Sequence, residues 1–265
     1  MTAIFEHNHQ VFTTQGIVRY YSQLRLLQPA EQTILELFRD QWPRMKMLDI
    51  GVGGGRTTQH FSPLVKEYVG IDYSRAMITA CQKRFPLSSP ARMFEVGDAR
   101  QMSQFPDHSF DFIFFSFNGI DSLSHADRLK VFQEVRRVGK PGGYFFFSSH
   151  NLQGLEQQLN WRNQVNFNPL SSYVNLIMLA LLRFCNRSMS LDQIKQSDHA
   201  MIQDESHNFR LKQYYVRPVE QIRQLEVDFE KIRVFSWKSG LEMSSDRERC
   251  SNTDLWLYYL CTIKP

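Results

Sequence analysis

Four glycines in five positions, Gly51, Gly53, Gly54 and Gly55, constrain this 265-residue chain more than any other feature. Met45, Met47 and Leu48 lead into them and predict a short buried strand, and Arg56-Thr57-Thr58-Gln59-His60-Phe61 behind them starts a helix. Glycine lets the backbone turn tightly there and lets a ligand approach without meeting a Cβ atom. Strand, glycine loop and helix N-terminus together form a nucleotide-type binding turn.

The ligand follows from the flanking charges. A dinucleotide turn reads G-x-G-x-x-G, and Gly51-x-Gly53 fits, but the third glycine position holds Arg56. Asp49, two places before the first glycine, would repel a pyrophosphate and suits an ammonium group. Arg56, near the helix N-terminus, suits a carboxylate. A ligand with an adenosine, an ammonium, a carboxylate and no phosphate is S-adenosylmethionine. The stretch Asp49-Ile50-Gly51-Val52-Gly53-Gly54-Gly55-Arg56 resembles the first motif of class I S-adenosylmethionine-dependent methyltransferases.

Further stations follow in order. Residues 67–72 read as a second strand ending at Asp72, about 20 residues past the first glycine, where a carboxylate accepts ribose hydroxyls. Tyr73 can stack on adenine, and Ser74 caps a helix whose inner face is Met77, Ile78, Cys81 and Phe85. Met77 is a core residue by default; the resemblance places it under the adenine. A third strand, 91–96, leads to Gly97-Asp98-Ala99-Arg100. There the resemblance implies that Asp98 meets the adenine amino group and the Ala99 amide a ring nitrogen; a plain turn acid is the alternative. The apolar run from Phe110 through Ser116 and Phe117 marks a strand buried on both faces, with Ser116 and Phe117 closing it beside the cofactor. Asn118-Gly119-Ile120-Asp121 follow at its carboxyl end, where open α/β sheets bind ligands. Lys140-Pro141-Gly142-Gly143, which turns a helix into the fifth strand at 144–149, is a structural hallmark of the same family.

Residues 1–15 are polar and read as a poorly ordered arm, in which His7 and His9 make no metal pair. Pro29 opens a helix with Ile34, Leu37, Phe38 and Trp42 as its core stripe. In the family an aromatic residue of this arm covers the cofactor, which points to Tyr20 or Tyr21 unless these are simply packed helix aromatics. After the fifth strand, residues 151–217 break the strand–helix alternation and read as a mostly helical lid over the acceptor pocket. A helix at 219–225 and strands at 232–237 and 255–263 complete the sheet, with a charged, serine-rich loop between the strands expected to be mobile. The expected fold is α/β: a Rossmann-like seven-stranded sheet with its last strand antiparallel, helices on both faces and a helical insertion. The parts are an arm and helix (1–40), the cofactor-binding core (41–150), the insertion (151–217) and a closing helix and strand hairpin (218–265).

Composition narrows the partners. The net charge of +4 comes from interspersed residues, with no basic run for nucleic acid. Nucleobase-amine methyltransferases carry [Asp/Asn]-Pro-Pro-[Tyr/Phe] after the fourth strand, and Ser116-Phe117-Asn118-Gly119 has no proline. A small-molecule acceptor is therefore expected. Cys81, Cys185, Cys250 and Cys261 are scattered, and no signal peptide or spanning length is visible, so a cytoplasmic protein with no membrane partner is expected. No metal-ligand spacing appears, and oligomeric state is left open. His150, Asn118 and Tyr214 are the candidate catalytic residues, since histidine titrates near neutral pH and each sits by a strand's carboxyl end. Asp121, Asn151 and Arg217 are further polar candidates, Arg217 for an acceptor carboxylate, with Trp161, Tyr215 and Tyr20 as aromatic neighbours. The expected reaction is methylation of an amine or amino-acid-like acceptor ahead of a hydroxyl. A non-catalytic binding subunit and a nucleotide-dependent oxidoreductase are the alternatives.

Overall fold

The computed structural model describes residues 3–86, 92–206 and 208–265. Ala91, expected to head the third strand, and His207 lie outside the described residues, as does the side chain of His9. Helices α1 (Ala3–Phe12) and α2 (Gln15–Gln23) precede α3 (Pro29–Leu37). The core then runs β1 (Lys46–Ile50), α4 (Thr58–Phe61), β2 (Glu67–Asp72), α5 (Arg75–Arg84), β3 (Arg92–Val96), β4 (Phe110–Phe115), α6 (His125–Val138) and β5 (Gly139–Asn151). The insertion holds α7 (Leu152–Leu159), α8 (Pro169–Cys185), α9 (Leu191–Gln196), β6 (His199–Gln203) and β7 (Lys212–Val216). Finally come α10 (Pro218–Leu225), β8 (Phe229–Ser236), β9 (Glu242–Met243), α11 (Asp246–Ser251) and β10 (Trp256–Ile263).

The sheet order is β3-β2-β1-β4-β5-β10-β8-β9. Strands β1 to β5 pair in parallel, and β10 lies antiparallel between β5 and β8. The strands of β4 and β1 bury both faces. Ile113 and Phe115 join Leu48 and Ile50 in a core that takes Val131, Phe132, Val135 and Val138 from α6. Phe112 and Phe114 join Met47 on the opposite face, under Ile34, Phe38, Trp42 and Phe61. The period-two alternation of a pleated strand splits one apolar run between two cores. Caps fix the helices that follow: Ser74 accepts from the Met77 amide and Ser124 from the Asp127 amide.

Five expectations need correction. The sheet has ten strands among the described residues, not seven: the expected seven are β1 to β5, β8 and β10. The extra ones come from segments without a clear strand period. Strands β6 and β7 form an antiparallel hairpin within the insertion, and β7 extends the sheet beside the end of β5, with His150 opposite Tyr215. The insertion is thus helical only in its first part. The segment 238–254, expected to be mobile, folds β9 against β8 and caps α11 through a Ser245–Glu248 capping box. Residues 1–15 include helix α1, because Asn8 anchors it. Its side-chain amide donates to the carbonyls of Ser122 (3.0 Å) and Lys212 (2.9 Å). The helix after the glycine loop is shorter than the sequence suggests, a single turn at Thr58–Phe61.

Candidate functional site

A cavity of about 290 Å³ opens at the carboxyl ends of β1, β2, β4 and β5. The glycine loop forms its floor. Gly51, Gly53 and Gly55 adopt positive φ of 66°, 53° and 80°. A Cβ on Gly53 would meet nothing nearer than the Gly51 carbonyl at 3.9 Å, leaving open space where a ligand can lie against the backbone. A Cβ on Gly54 would come within 2.5 Å of the Ser22 backbone, so this glycine lets α2 close over the loop.

Two buried carboxylates face the cavity. Asp49 Oδ2 accepts from Thr57 Oγ1 and the Tyr68 hydroxyl, both at 2.5 Å, and Oδ1 takes no part in these bonds. Asp72 ends β2, and its two oxygens accept from the Gly53 amide (3.0 Å) and the Ser74 amide (2.8 Å). Burial pushes both carboxyls up to about 6, outweighing these hydrogen bonds. Two carboxylates held at the floor with no ion pair among the described residues, Arg56 being bonded to Glu31 instead, suit a cationic, hydroxyl-bearing ligand. Asp98 and Ala99 also line the cavity, and Asp98 is held by a bidentate bond from Arg100 (2.7 Å at its closest).

Aromatic and apolar groups close the walls. Tyr21, Tyr73, Met77 and Phe117 line the cavity, and Phe12 from α1 joins them. Tyr21 meets Phe117 and Phe12 with ring centroids 6.2 Å apart in both cases. Burial pushes the Tyr21 and Tyr73 phenols well above their ordinary range. Of the two arm tyrosines, Tyr21 faces the cavity and Tyr20 faces solvent.

Arg56 departs from expectation. It borders the cavity, but its guanidinium is already committed. Nη1 binds Glu31 Oε2 (2.5 Å) and the Leu26 carbonyl (3.1 Å), and Nη2 binds Glu31 Oε1 (2.7 Å) and Ser116 Oγ (3.3 Å). All four terminal N–H groups are used, so Arg56 offers no fork to a ligand carboxylate. Glu31 is fully buried; Arg56 holds its carboxyl below the usual range despite burial. Ser116 and the Tyr258 hydroxyl also donate to Glu31. This network ties α3 to the glycine loop, β4 and β10. Nothing in the sequence marked Glu31, whose spacing from Pro29 reads only as first-turn helix acid.

The opposite side of the cavity is built around His150. Its Nδ1 lies 2.8 Å from Asp121 Oδ2, which also accepts the His150 backbone N–H at 2.7 Å. A carboxylate only accepts, so Nδ1 carries the proton and Nε2 keeps its lone pair in the neutral ring. Nε2 lies 3.2 Å from the Asn118 side-chain nitrogen, and both residues line the cavity. Asp121 is fully buried and bonded to Arg128 and to Ser149 Oγ. Tyr215 stacks on the imidazole with centroids 4.7 Å apart. Phe117 and Asn118 both take φ of 58°, a left-handed pair of non-glycine residues that aims Asn118 back toward His150. The Ser148 hydroxyl holds this turn by accepting the Asn118 amide at 2.8 Å.

Other candidates fall elsewhere. Tyr214 is buried away from the cavity, its hydroxyl bonded to His125 Nδ1 (2.7 Å) and Gln224 (3.2 Å), so it cannot reach a reacting group. Arg217 pairs with Glu156 and donates to the carbonyls of Ser197 (2.9 Å) and Lys195 (2.6 Å). Trp161 is exposed, and Asn151 caps α7 through the Gln153 amide. Asn8, Ser206, Gln213 and Trp256 line the cavity and were not singled out. Only Trp256 left a trace in the sequence: an antiparallel last strand sets its first residue opposite the end of β5, here Trp256 opposite His150. Among the described residues, no three histidine, cysteine or acidic side chains gather as a metal site would need.

Comparison with known proteins supplies an independent line. Residues 48–147 match the model of a methyltransferase domain. The uncharacterized methyltransferase YcgJ of Bacillus subtilis is 34% identical over 107 residues, 40% of each chain. Phosphoethanolamine N-methyltransferase 2 of Caenorhabditis elegans is 34% identical over 135 residues, 50% of this chain and 30% of that one. The chain thus spans less than half the length of these two relatives. The solved phosphoethanolamine N-methyltransferase 2 of Haemonchus contortus, bound to phosphomonomethylethanolamine and S-adenosylhomocysteine, superposes with a TM-score of 0.60. It is 17% identical over 100% of this chain and 61% of that one, a likeness of fold.

Proposed function

We propose that this chain, whose residues 48–147 belong to the methyltransferase-domain family, transfers a methyl group from S-adenosylmethionine to an amine of a small molecule. The observation that carries this reading is one cavity with buried Asp49 and Asp72 on one side and the Asp121–His150 pair on the other. The residues fit the cofactor. Asp49 offers an acceptor to its ammonium. Asp72, with one lone pair free on each oxygen, would take the ribose hydroxyls. Asp98 and the Ala99 amide would meet the adenine edge, with Tyr73 and Met77 against its faces. The bound cofactor supplies a sulfonium-activated methyl group, and alignment and exclusion of water are then the main tasks of the protein.

His150 takes the acceptor proton at Nε2 once the acceptor displaces the Asn118 amide from that lone pair, with Asp121 stabilising the imidazolium that results. Asn118, released from Nε2, turns its amide to orient the acceptor. Phe117, Tyr21 and Trp256 present aromatic faces to the positive charge shared by sulfonium and product ammonium. An amino-acid acceptor loses its support, because Arg217 is engaged by Glu156. The amine itself keeps it, and the similar phosphoethanolamine enzyme acts on that class of group by its name. The test is binding calorimetry with S-adenosylmethionine and with NAD, then a methyl-transfer panel of amines, phenols and carboxylic acids. Tight NAD binding without S-adenosylmethionine binding would remove the whole reading; methylation of phenols alone would remove the amine.

A further inference from the structure

Helix α8 is apolar over most of its surface yet covered on only one side. Its 17 residues include a single charge, Arg183. Ser172, Leu179 and Leu182 face inward, the two leucines joining a small core with Leu155 and Ile202. Outward stand Leu170, Tyr173, Val174, Ile177, Leu181 and Phe184, each 41–72% exposed. Their spacing follows the helical repeat, so they form one stripe along the helix. Trp161 and Phe167, just before the helix, are exposed too. An apolar stripe of this length is ordinarily buried, which makes it an interaction surface.

The charges beside the stripe identify what covers it. Residues 157–190 contain three arginines and no acidic residue. Arg162, Arg183 and Arg187 are exposed and meet no carboxylate among the described residues. Arg187 lies 5.4 Å from the Phe184 ring and Arg162 lies 5.8 Å from the Trp161 ring, so a cation sits beside an exposed aromatic at each end of the helix. A second copy meeting this face across a two-fold axis would set arginines against arginines. We infer that α8 and the turn before it lie in the headgroup layer of an anionic membrane. The stripe would enter the acyl boundary, Trp161 and Tyr173 would sit at the interface, and Arg162 and Arg187 would meet lipid phosphates. No helix of the described residues is long and apolar enough to cross a membrane, which concerns spanning and not lying in the surface. This inference does not rest on the methyl acceptor.

The test is flotation of the full chain with vesicles of phosphatidylcholine and with vesicles also containing phosphatidylglycerol. The chain is expected to float with the anionic vesicles. Arg162→Gln with Arg187→Gln should weaken that partition about 30-fold, roughly fivefold for each arginine at the surface. Ile177→Asn with Leu181→Asn should abolish it while leaving the circular dichroism melt unchanged, since both side chains face outward. Brominated acyl chains should quench tryptophan fluorescence, and Trp161→Phe should lose part of that quenching. A chain that stays in the soluble fraction with both vesicles overturns the inference. Equal partition into both vesicle types removes the anionic surface and overturns it as well. A dimer in sedimentation that Ile177→Asn dissociates, without vesicle binding, would give the stripe to a second copy.

Discussion

The Asp49–Asp72–Asp98 side of the cavity and the Asn118–His150 side are made in different ways. On the first, each residue sits at or just past the carboxyl end of its own strand, and the parallel sheet lines the strand ends up by itself. On the second, the partners come from β4, the turn after it, β5, the insertion and the first residue of β10. The first side depends on local chain geometry repeated along the sequence. The second depends on which distant segments happen to pack together. The proposed chemistry follows the same division: on the first side buried acids would hold a cationic cofactor, while on the second a histidine would move a proton.

The largest effect should break the two sides apart. His150→Ala is expected to lower kcat by about 10²–10⁴-fold, the range for a lost general base. The S-adenosylmethionine dissociation constant, read by calorimetry, should hardly change. A parallel loss of cofactor binding would show that the sides are not separable. Next comes the network beneath the first side. Glu31→Gln leaves Arg56 buried without its carboxylate and should lower stability by about 3–5 kcal/mol in urea titration. A stability change near zero would mean that the pair is not what fixes the loop.

Asp72→Ala should weaken cofactor binding by about 1.5–3 kcal/mol, the scale of a lost charged hydrogen bond, with the His150 dyad intact. The pH dependence sharpens the same point. Burial raises the Asp49 and Asp72 carboxyls to about 6, from an ordinary value of 3.8. The free protein therefore binds more protons folded than unfolded between those values, and these groups' stability contribution is lost as pH rises through about 6. Binding of a cationic ligand runs the opposite way and should tighten over that window, by up to about tenfold per pH unit for each carboxyl that must ionise. Asp72→Asn should flatten part of both curves in paired melting and calorimetry series. The smallest effect tests a residue outside the cavity. Tyr214→Phe removes the hydroxyl bonds to His125 and Gln224 and should destabilise the fold by about 1 kcal/mol while leaving kcat unchanged.

Legibility in the sequence tracks contact range. Asp49, Gly53, Asp72 and Asp98 were visible because a strand, a tight turn and a helix cap leave signatures within a few residues. His150 and Asn118 were visible as strand-end residues, but their relation was not. Their 3.2 Å approach needs two left-handed residues at 117 and 118 and a turn acid, Asp121, folded back onto β5. Arg56 shows the converse. Its position beside the loop was plain, yet its role was decided by Glu31, 25 residues away, whose carboxylate takes one N–H from each terminal nitrogen while the Leu26 carbonyl and Ser116 take the others.

By itself the sequence determined the parallel core of β1 to β5, the antiparallel β10, the glycine loop and the acids at the strand ends. Those follow from hydrophobic period and from glycine's freedom at positive φ, both written in adjacent residues. Only the tertiary structure decided that α1 is pinned through Asn8, that β7 extends the sheet beside His150, and that Tyr214 and Arg217 turn away from the cavity. The reason is that a polar side chain goes to whichever partner satisfies it on burial, and that partner lies about 10 to 200 residues away, beyond any local pattern.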